Sequence, residues 1–455
     1  MLKFGTDGVR GVANTEVTPE LALALGRAAV RVLGGDHFAV GRDTRRSGPL
    51  LEAALAAGLA SEGADVTLLG VVPTPEVAWW SADRSAPAAM VSASHNPFPD
   101  NGIKLFTAGG RKLSDDLEAR LEAELHHLLG TVPVSDARSP APSGATRPTG
   151  AAVGRLLHAP QVHHGYAAAV AASIGGRRLE GLKAVVDCAN GSASMVAPQA
   201  LRDLGVDVHV MHAQPDGANI NDGCGSTHTD ALARAVVERG ADVGVAFDGD
   251  ADRVLLVDAA GELVDGDQII AMCAIDRHER GQLTDGSVVV TVMTNLGFRL
   301  AMEKRGIHVV ETQVGDRYVL EALEQRGLSL GGEQSGHVIF PGLATTGDGL
   351  LTAVQALDVV VRARRSLAEV AADAMVRLPQ VLRNVRVAER DAAIVDRLAG
   401  PIAAVEKRLG GEGRVLVRTS GTEPLVRVMV EAPSPAEAEG AADELVRAVE
   451  ALAGS

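Results

Sequence analysis

Three cysteines in 455 residues are too few and too scattered to hold this chain together. Cys188, Cys224 and Cys273 are odd in number and lack metal-ligand spacing, so neither a disulfide scaffold nor a thiolate metal site is expected. They read instead as small buried hydrophobes in a reducing cytoplasm. Aromatic residues make up only 2%, and the formal net charge is −15. An acidic chain poor in stacking rings is badly suited to a polyanion, so no nucleic-acid partner is expected. No run approaches ~18 uninterrupted apolar residues, so no membrane span is expected. The opening Met-Leu-Lys-Phe-Gly-Thr-Asp also lacks the layout of a signal peptide. What is there is 46% hydrophobic and 22% charged, the balance of a globular enzyme with chain enough for several cores. An anionic ligand would have to be met by positive charge gathered locally against the global field.

The stretch that organises the rest is Met90-Val-Ser-Ala-Ser-His-Asn-Pro-Phe-Pro-Asp-Asn-Gly-Ile-Lys104. The apolar run from Pro87 to Val91 reads as a buried strand, and the Asn, Pro and Gly residues beyond it as a tight loop over 92–101. Open α/β sheets place ligands at that end of a strand. Ser94 offers a hydroxyl nucleophile there, with His95 beside it and Lys104 a short reach away.

Around this stretch the chain alternates strands and helices. Residues 1–12 are glycine-rich and read as a loop presenting Arg10. A helix follows, with Thr18 as N-cap, Pro19 at its first position, and Leu21, Leu25, Ala28, Ala29 and Val32 on one face. Strands over 37–41 and 64–69 precede the one that carries Ser94. The layout recurs over 182–247, where the third strand runs into Asp248, and over 287–331, where it runs into Glu333. Such alternation predicts an α/β fold of three related mixed units with mostly parallel sheets. From about residue 366 the pattern changes to a smaller C-terminal α+β domain with a helix over 392–408 and strands over 381–387, 414–418 and 425–432. The domains are read as 1–150, including a Pro/Ser/Ala/Gly-rich linker over 135–151, then 151–256, 257–365 and 366–455, set around a central cleft.

Three further motifs carry chemistry. Asp248-Gly-Asp-Ala-Asp-Arg253 places three carboxylates at alternate positions, and a turn at Gly249 lets them converge on one cation. An all-oxygen set favours a hard metal such as Mg²⁺ over Zn²⁺. A calcium EF-hand loop is excluded, because its glycine and glutamate positions are Arg253 and Ala259. A phosphorylated Ser94 would supply a further oxygen to the metal, which would offset its charge. Gly331-Gly-Glu-Gln-Ser-Gly-His337 sets Glu333 and Ser335 on a glycine-bounded turn suited to sugar hydroxyls. In Arg418-Thr-Ser-Gly-Thr-Glu-Pro-Leu-Val-Arg427, Ser420, Gly421 and Thr422 offer hydroxyl and backbone donors flanked by Arg418 and Arg427, as a phosphate cradle would.

These four motifs, one per domain and in this order, resemble the α-D-phosphohexomutase family over essentially the whole chain. The resemblance implies a phosphoserine at Ser94 and one Mg²⁺ per chain on Ser94, Asp248, Asp250 and Asp252. It also implies Glu333 and Ser335 on the sugar, and the Arg418–Arg427 loop with Ser420, Gly421 and Thr422 on the phosphate that does not react. Arg10, Lys104 and Arg253 would stabilise the phosphoryl group in transfer. A sugar 1,6-bisphosphate would be intermediate and activator. Phe4-Gly-Thr-Asp-Gly-Val-Arg-Gly11, the Gly-Glu-Gln-Ser-Gly form of the sugar loop and the Ser-Gly-Thr-Glu-Pro-Leu-Val-Arg-Val-Met tail look most like the branch acting on glucosamine phosphates. The glucose and mannose phosphate branches are the alternative. Where other branches carry a histidine, this chain has Asp316 and Arg317, so the general acid/base stays open between Lys104 and His95. No membrane partner is implied, and a homodimer is left open.

Overall fold

The computed structural model describes residues 8–130, 147–159, 162–387, 393–419 and 424–453. The chain divides into two compact units, Met1–Val292 with Val310–Ala371 and Met293–Val309 with Ala372–Ser455.

In the first unit, the opening sheet has the order β1 (Val9–Val12), β5 (Asp100–Thr107), β4 (Ala88–Val91), β2 (His37–Arg42), β3 (Asp65–Val71) and β7 (Leu156–His158), with β6 (Arg111–Lys112) paired to β5. β4, β2, β3 and β7 run parallel, while β5 is antiparallel to both β4 and β1. The helix Pro19–Leu33 starts where the sequence places it, the Thr18 hydroxyl accepting from the Leu21 amide at 3.2 Å. It packs on the helix Gly48–Ser61 closely enough that a β-carbon on Gly26 would meet the Leu55 carbonyl oxygen at 2.3 Å. Leu25, Leu51, Leu55 and Leu59 are fully buried between these helices and the sheet, each adding roughly 1.5–3 kcal/mol. The loop expected over residues 1–12 is corrected in part. Val9–Val12 is a strand, with Arg10 opposite Gly102. Its glycines read locally as breakers, but the partner that orders them is remote in sequence. Residues 1–7 lie outside the described residues, as does the linker over 135–151 up to residue 146.

The second sheet has the order β12 (Leu263–Val264), β11 (Val254–Asp258), β10 (Val243–Phe247), β8 (Lys183–Asp187), β9 (Asp207–Met211). Its centre is parallel, but β10 and β11 form an antiparallel hairpin with Phe247 opposite Val254, and the acidic motif is the turn between them. The third sheet has the order β14 (His308–Thr312), β13 (Ser287–Thr291), β15 (Gly331–Gly332), β16 (Val338–Ile339). The strand expected over 328–331 forms only as the glycine pair. Those glycines are needed, since β-carbons there would meet the Val289 carbonyl oxygen at 2.7 Å and that of His337 at 2.6 Å. The outcome is the mixed, mostly parallel α/β architecture expected.

In the second unit, β17 (Gln380–Arg386), β19 (Leu425–Glu431) and β18 (Arg414–Thr419) make an antiparallel sheet, covered by the helix Pro435–Ala453. Val385, Val426, Val428, Val430 and Leu445 form its core. The helix expected over 392–408 is split into Ile394–Arg397 and Ala399–Leu409. Pro401, in the second piece, has no N–H to donate back across the break. The segment Thr294–Leu296 is part of this unit. Glu431, fully buried, accepts from the Leu296 amide and the Arg414 Nε, both at 2.9 Å.

Candidate active site

The loop between β4 and β5 is set by two serines. The Ser92 hydroxyl accepts from the Ser94 amide at 2.9 Å and donates to Asp43 at 2.7 Å. Ser94 sits at φ +52° and is 1% exposed. Left-handed backbone at a residue with a β-carbon costs roughly 1–2 kcal/mol, so the surroundings must hold it there. In this conformation the Ser94 hydroxyl donates to Asp248 Oδ2 at 2.6 Å, with His95 Nδ1 3.4 Å away.

The acidic turn meets that hydroxyl from the second sheet. One oxygen from each of Asp248, Asp250 and Asp252 lies within 4.8 Å of the others, and all three residues are buried. Lys104, on β5, is 3.0 Å from Asp250 Oδ2 and 3.3 Å from Asp252 Oδ2. The Thr74 hydroxyl donates to Asp250 at 2.6 Å. Burial, then repulsion from Asp252 and Asp250, pushes the Asp248 carboxyl well above its usual range. Burial and Asp252 also oppose ionisation of Asp250, but Lys104 and Thr74 hold it below the usual carboxylate range. Against the same burial, Lys104 and His337 drive Asp252 lower still. The residues fit a hard cation, because Asp250 Oδ1 and Asp252 Oδ1 are buried without a hydrogen-bond partner among the described residues. A second cluster, Asp187, His212 and Cys224, is of another kind. Both Asp187 oxygens accept bonds there, from the Ala189 and Gly225 amides and from His212. It organises a turn.

Arg253 closes the acidic turn, its amide donating to Asp248 Oδ1 and its Nη1 to His95 Nδ1, both at 3.2 Å. Burial, then the positive charges of Arg253 and Arg10, pushes the His95 ring below its ordinary value. The sugar-loop motif lies against the same hairpin, the Val254 amide donating to the Gly336 carbonyl at 3.1 Å. Glu333 accepts from the Gly315 amide at 3.1 Å. The Ser335 hydroxyl oxygen is buried with no partner among the described residues.

Ser94, His95, Lys104, Asp248, Asp250, Asp252 and Arg253 therefore share one site, with Arg10 acting on His95 and the Glu333–Ser335 turn on the neighbouring loop. Arg418 and Arg427 belong to the second unit, opposite one another across β18 and β19. Ser420, Gly421 and Thr422 lie outside the described residues. Two residues of the site were not singled out from the sequence. Thr74 carries no motif. His337 ends the sugar-loop motif and is buried, with Nδ1 3.8 Å from Asp252 and Nε2 3.4 Å from Asp316. Burial opposes its protonation, but Asp252 and Asp316 outweigh it and raise the ring's pKa. A histidine two residues beyond a proposed sugar ligand was the available signal.

A buried serine hydroxyl on a three-aspartate cluster that could hold a cation, flanked by lysine and arginine, suits the movement of a phosphoryl group. The chain matches the phosphoglucomutase/phosphomannomutase family along its length, as alpha/beta/alpha domain I over residues 1–129, domain II over 164–261, domain III over 265–378 and the C-terminal domain over 382–448. It belongs to that family. Among curated proteins it is similar to the phosphoglucosamine mutase of Frankia alni, 53% identical over 462 residues and 98% of each chain. The phosphoglucosamine mutase of Saccharopolyspora erythraea is also 53% identical, over 457 residues and 99% of each chain. Among solved structures, a phosphoglucomutase/phosphomannomutase family protein of Burkholderia thailandensis superposes with a TM-score of 0.78 at 25% identity, covering 98% of this chain and 97% of that one.

Proposed function

We propose that this protein interconverts glucosamine 6-phosphate and glucosamine 1-phosphate through a phosphoserine at Ser94. The observation that carries the reading is the 2.6 Å bond from the Ser94 hydroxyl to Asp248 inside the three-aspartate turn. The sugar assignment rests on the full-length relatives named phosphoglucosamine mutase.

In the first half-reaction the phosphoserine P–O bond breaks as the C1 oxygen of glucosamine 6-phosphate bonds to phosphorus. That hydroxyl's proton leaves to His95, whose ring burial and the charges of Arg253 and Arg10 push toward its neutral, proton-accepting form. The 1,6-bisphosphate turns around, and the Ser94 oxygen takes the phosphoryl group from C6. The proton then returns to the sugar oxygen set free, leaving glucosamine 1-phosphate and phosphoserine. Asp248, Asp250 and Asp252 would hold Mg²⁺ together with the serine phosphate, and the ion would offset charge on the phosphoryl oxygens. Lys104 keeps two of the carboxylates ionised, and Arg253 and Arg10 bring positive charge to the His95 side of the serine. Glu333 and Ser335 orient sugar hydroxyls. Arg418 and Arg427, with Ser420, Gly421 and Thr422, grip the phosphate that does not react. No helix among the described residues is long and apolar enough to cross a membrane, and the three cysteines are buried and free. A cytoplasmic site of action fits both.

The test is turnover of glucosamine, glucose and mannose 6-phosphates with Mg²⁺ and a trace of the 1,6-bisphosphate, alongside intact mass. Fastest conversion of the amino sugar, with one phosphate mass lost in Ser94→Ala together with activity, is expected. Faster turnover of glucose or mannose phosphate would reassign the substrate. Release of inorganic phosphate at a rate matching isomerisation would make the enzyme a phosphatase.

A further inference from the structure

Arg45 is fully buried, and the chemistry above gives it no part. A guanidinium carries five N–H donors in a fixed planar fork. Here every one is used. Nε donates to Asp43 Oδ2 at 2.9 Å. Nη1 donates to the carbonyls of Pro97 at 2.5 Å and Asp100 at 3.0 Å. Nη2 donates to those of Ser94 at 2.9 Å and Asn96 at 2.8 Å. Four carbonyls of the serine loop are thus gathered on one cation. Asp43 fixes the fork in turn. It also accepts from the Arg45 amide and from the Ser92 hydroxyl, which receives the Ser94 amide. From the opposite side, Asn221 Nδ2 donates to the same Ser94 and Asn96 carbonyls, at 2.9 and 3.1 Å.

A core arginine could serve stability alone, but the target of this one is specific. Ser94 is held at φ +52°, a conformation it would not keep unaided, and in that conformation its hydroxyl faces Asp248. We propose that Arg45 is a positioning residue of the phosphoryl transfer, holding the Ser94 loop so that the hydroxyl and its phosphate stay in line with the acidic turn, with Asn221 as the second arm of the same clamp. The inference rests on Ser94 being the phosphoryl carrier. Misplacing a reacting group by about 1 Å costs on the order of 10²-fold in rate, so the effect belongs in kcat.

The test compares wild type with Arg45→Lys, which keeps the charge but loses the planar fork, and with Asn221→Ser, which removes two neutral donors and no charge. Both are read per folded molecule, from samples that melt cooperatively. Arg45→Lys should lower kcat about 10²-fold and Asn221→Ser about tenfold, with KM within about threefold of wild type. Single-turnover phosphorylation of the dephosphorylated enzyme by glucosamine 1,6-bisphosphate should slow in the same ratio, and amide exchange over residues 92–101 should quicken in both variants. A folded Arg45→Lys protein with kcat within threefold of wild type, or a loss confined to KM, overturns the proposal. Unchanged exchange in that loop overturns it as well, and that readout needs no activity. A wild type that neither turns over hexose phosphates nor takes up phosphate would instead overturn the functional reading, leaving the clamp to be judged by exchange.

Discussion

Gly249 and Ser94 are so close that a β-carbon on the glycine would lie 2.6 Å from the Ser94 carbonyl oxygen. The acidic turn and the serine loop therefore meet backbone to backbone, and the 2.6 Å bond from Ser94 to Asp248 depends on that closeness. The same β-carbon would press on Asn221 and Ile220, each 2.8 Å away, so it cannot be relieved by one side-chain rotation. Gly249→Ala should part the loops and lower kcat by roughly 10²-fold while the protein still folds. Steady-state kinetics beside a thermal melt decides it, and unimpaired turnover would show that the contact is incidental.

Lys104 is the buried cation that Asp250 and Asp252 share. Replacing it by methionine strands two carboxylates, and deleting one partner of a buried pair typically costs about 3–5 kcal/mol. Lys104→Met should abolish turnover and melt well below wild type in EDTA. Excess Mg²⁺ should then raise its Tm by more than it raises that of wild type, because the ion is left as the main counter-charge and stabilises by mass action. Equal increments would mean that the aspartates do not hold the metal.

Asp348 gives a pH dependence away from this site. It caps the helix Gly349–Ala363 by accepting from the Leu351 amide, also accepts from the Tyr166 hydroxyl, and burial pushes its carboxyl up to about 6. A raised carboxyl favours the folded state when protonated. Its contribution is complete below the unfolded value near 4 and is lost as pH rises through 6. A shift of about two units corresponds to about 3 kcal/mol. Asp348→Asn should therefore gain on wild type by about that amount between pH 4 and pH 7 in urea unfolding. A difference that stays flat over that range would refute the assignment.

Glu431 anchors the second unit through the Leu296 amide, Asn295 and Arg414. Glu431→Gln removes its charge but keeps its shape, so the pair that Glu431 makes with the largely buried Arg414 loses its anionic half. Destabilisation of roughly 3 kcal/mol is expected. Calorimetry of the full chain should register it, and a variant as stable as wild type would show that the pair breaks even against its desolvation.

Much of this was legible in the sequence because it is local. Thr18 and Pro19 announce a helix by their own chemistry, and Asp248, Asp250 and Asp252 stand at alternate positions of one short turn, whose left-handed residue is Ala251, at φ +58°, while Gly249 serves the close approach to Ser94. The loop over 92–99 lies where the apolar run before it ends. What escaped is what distance conceals. β1 is a strand only because β5 returns beside it, and neither a glycine count nor a period of two reveals that pairing. Arg45 and Asn221 reach Ser94 from 49 and 127 residues away, and nothing around either predicts a carbonyl partner. His337 stands within the Gly331–His337 motif, yet its significance comes from Asp316 and Asp252, two carboxylates contributed by other segments.

The second unit is not one stretch of polypeptide, since it borrows Met293–Val309 from the middle of the chain. A gene fragment cut at residue 372 would look like a tidy C-terminal module but would carry Glu431 without the Leu296 amide and Asn295 that cap it. Anyone wishing to express that module alone has to bring the interior segment Met293–Val309, with its helix Leu296–Lys304, along by circular permutation or as an added peptide. The excised tail by itself should be a poor folder.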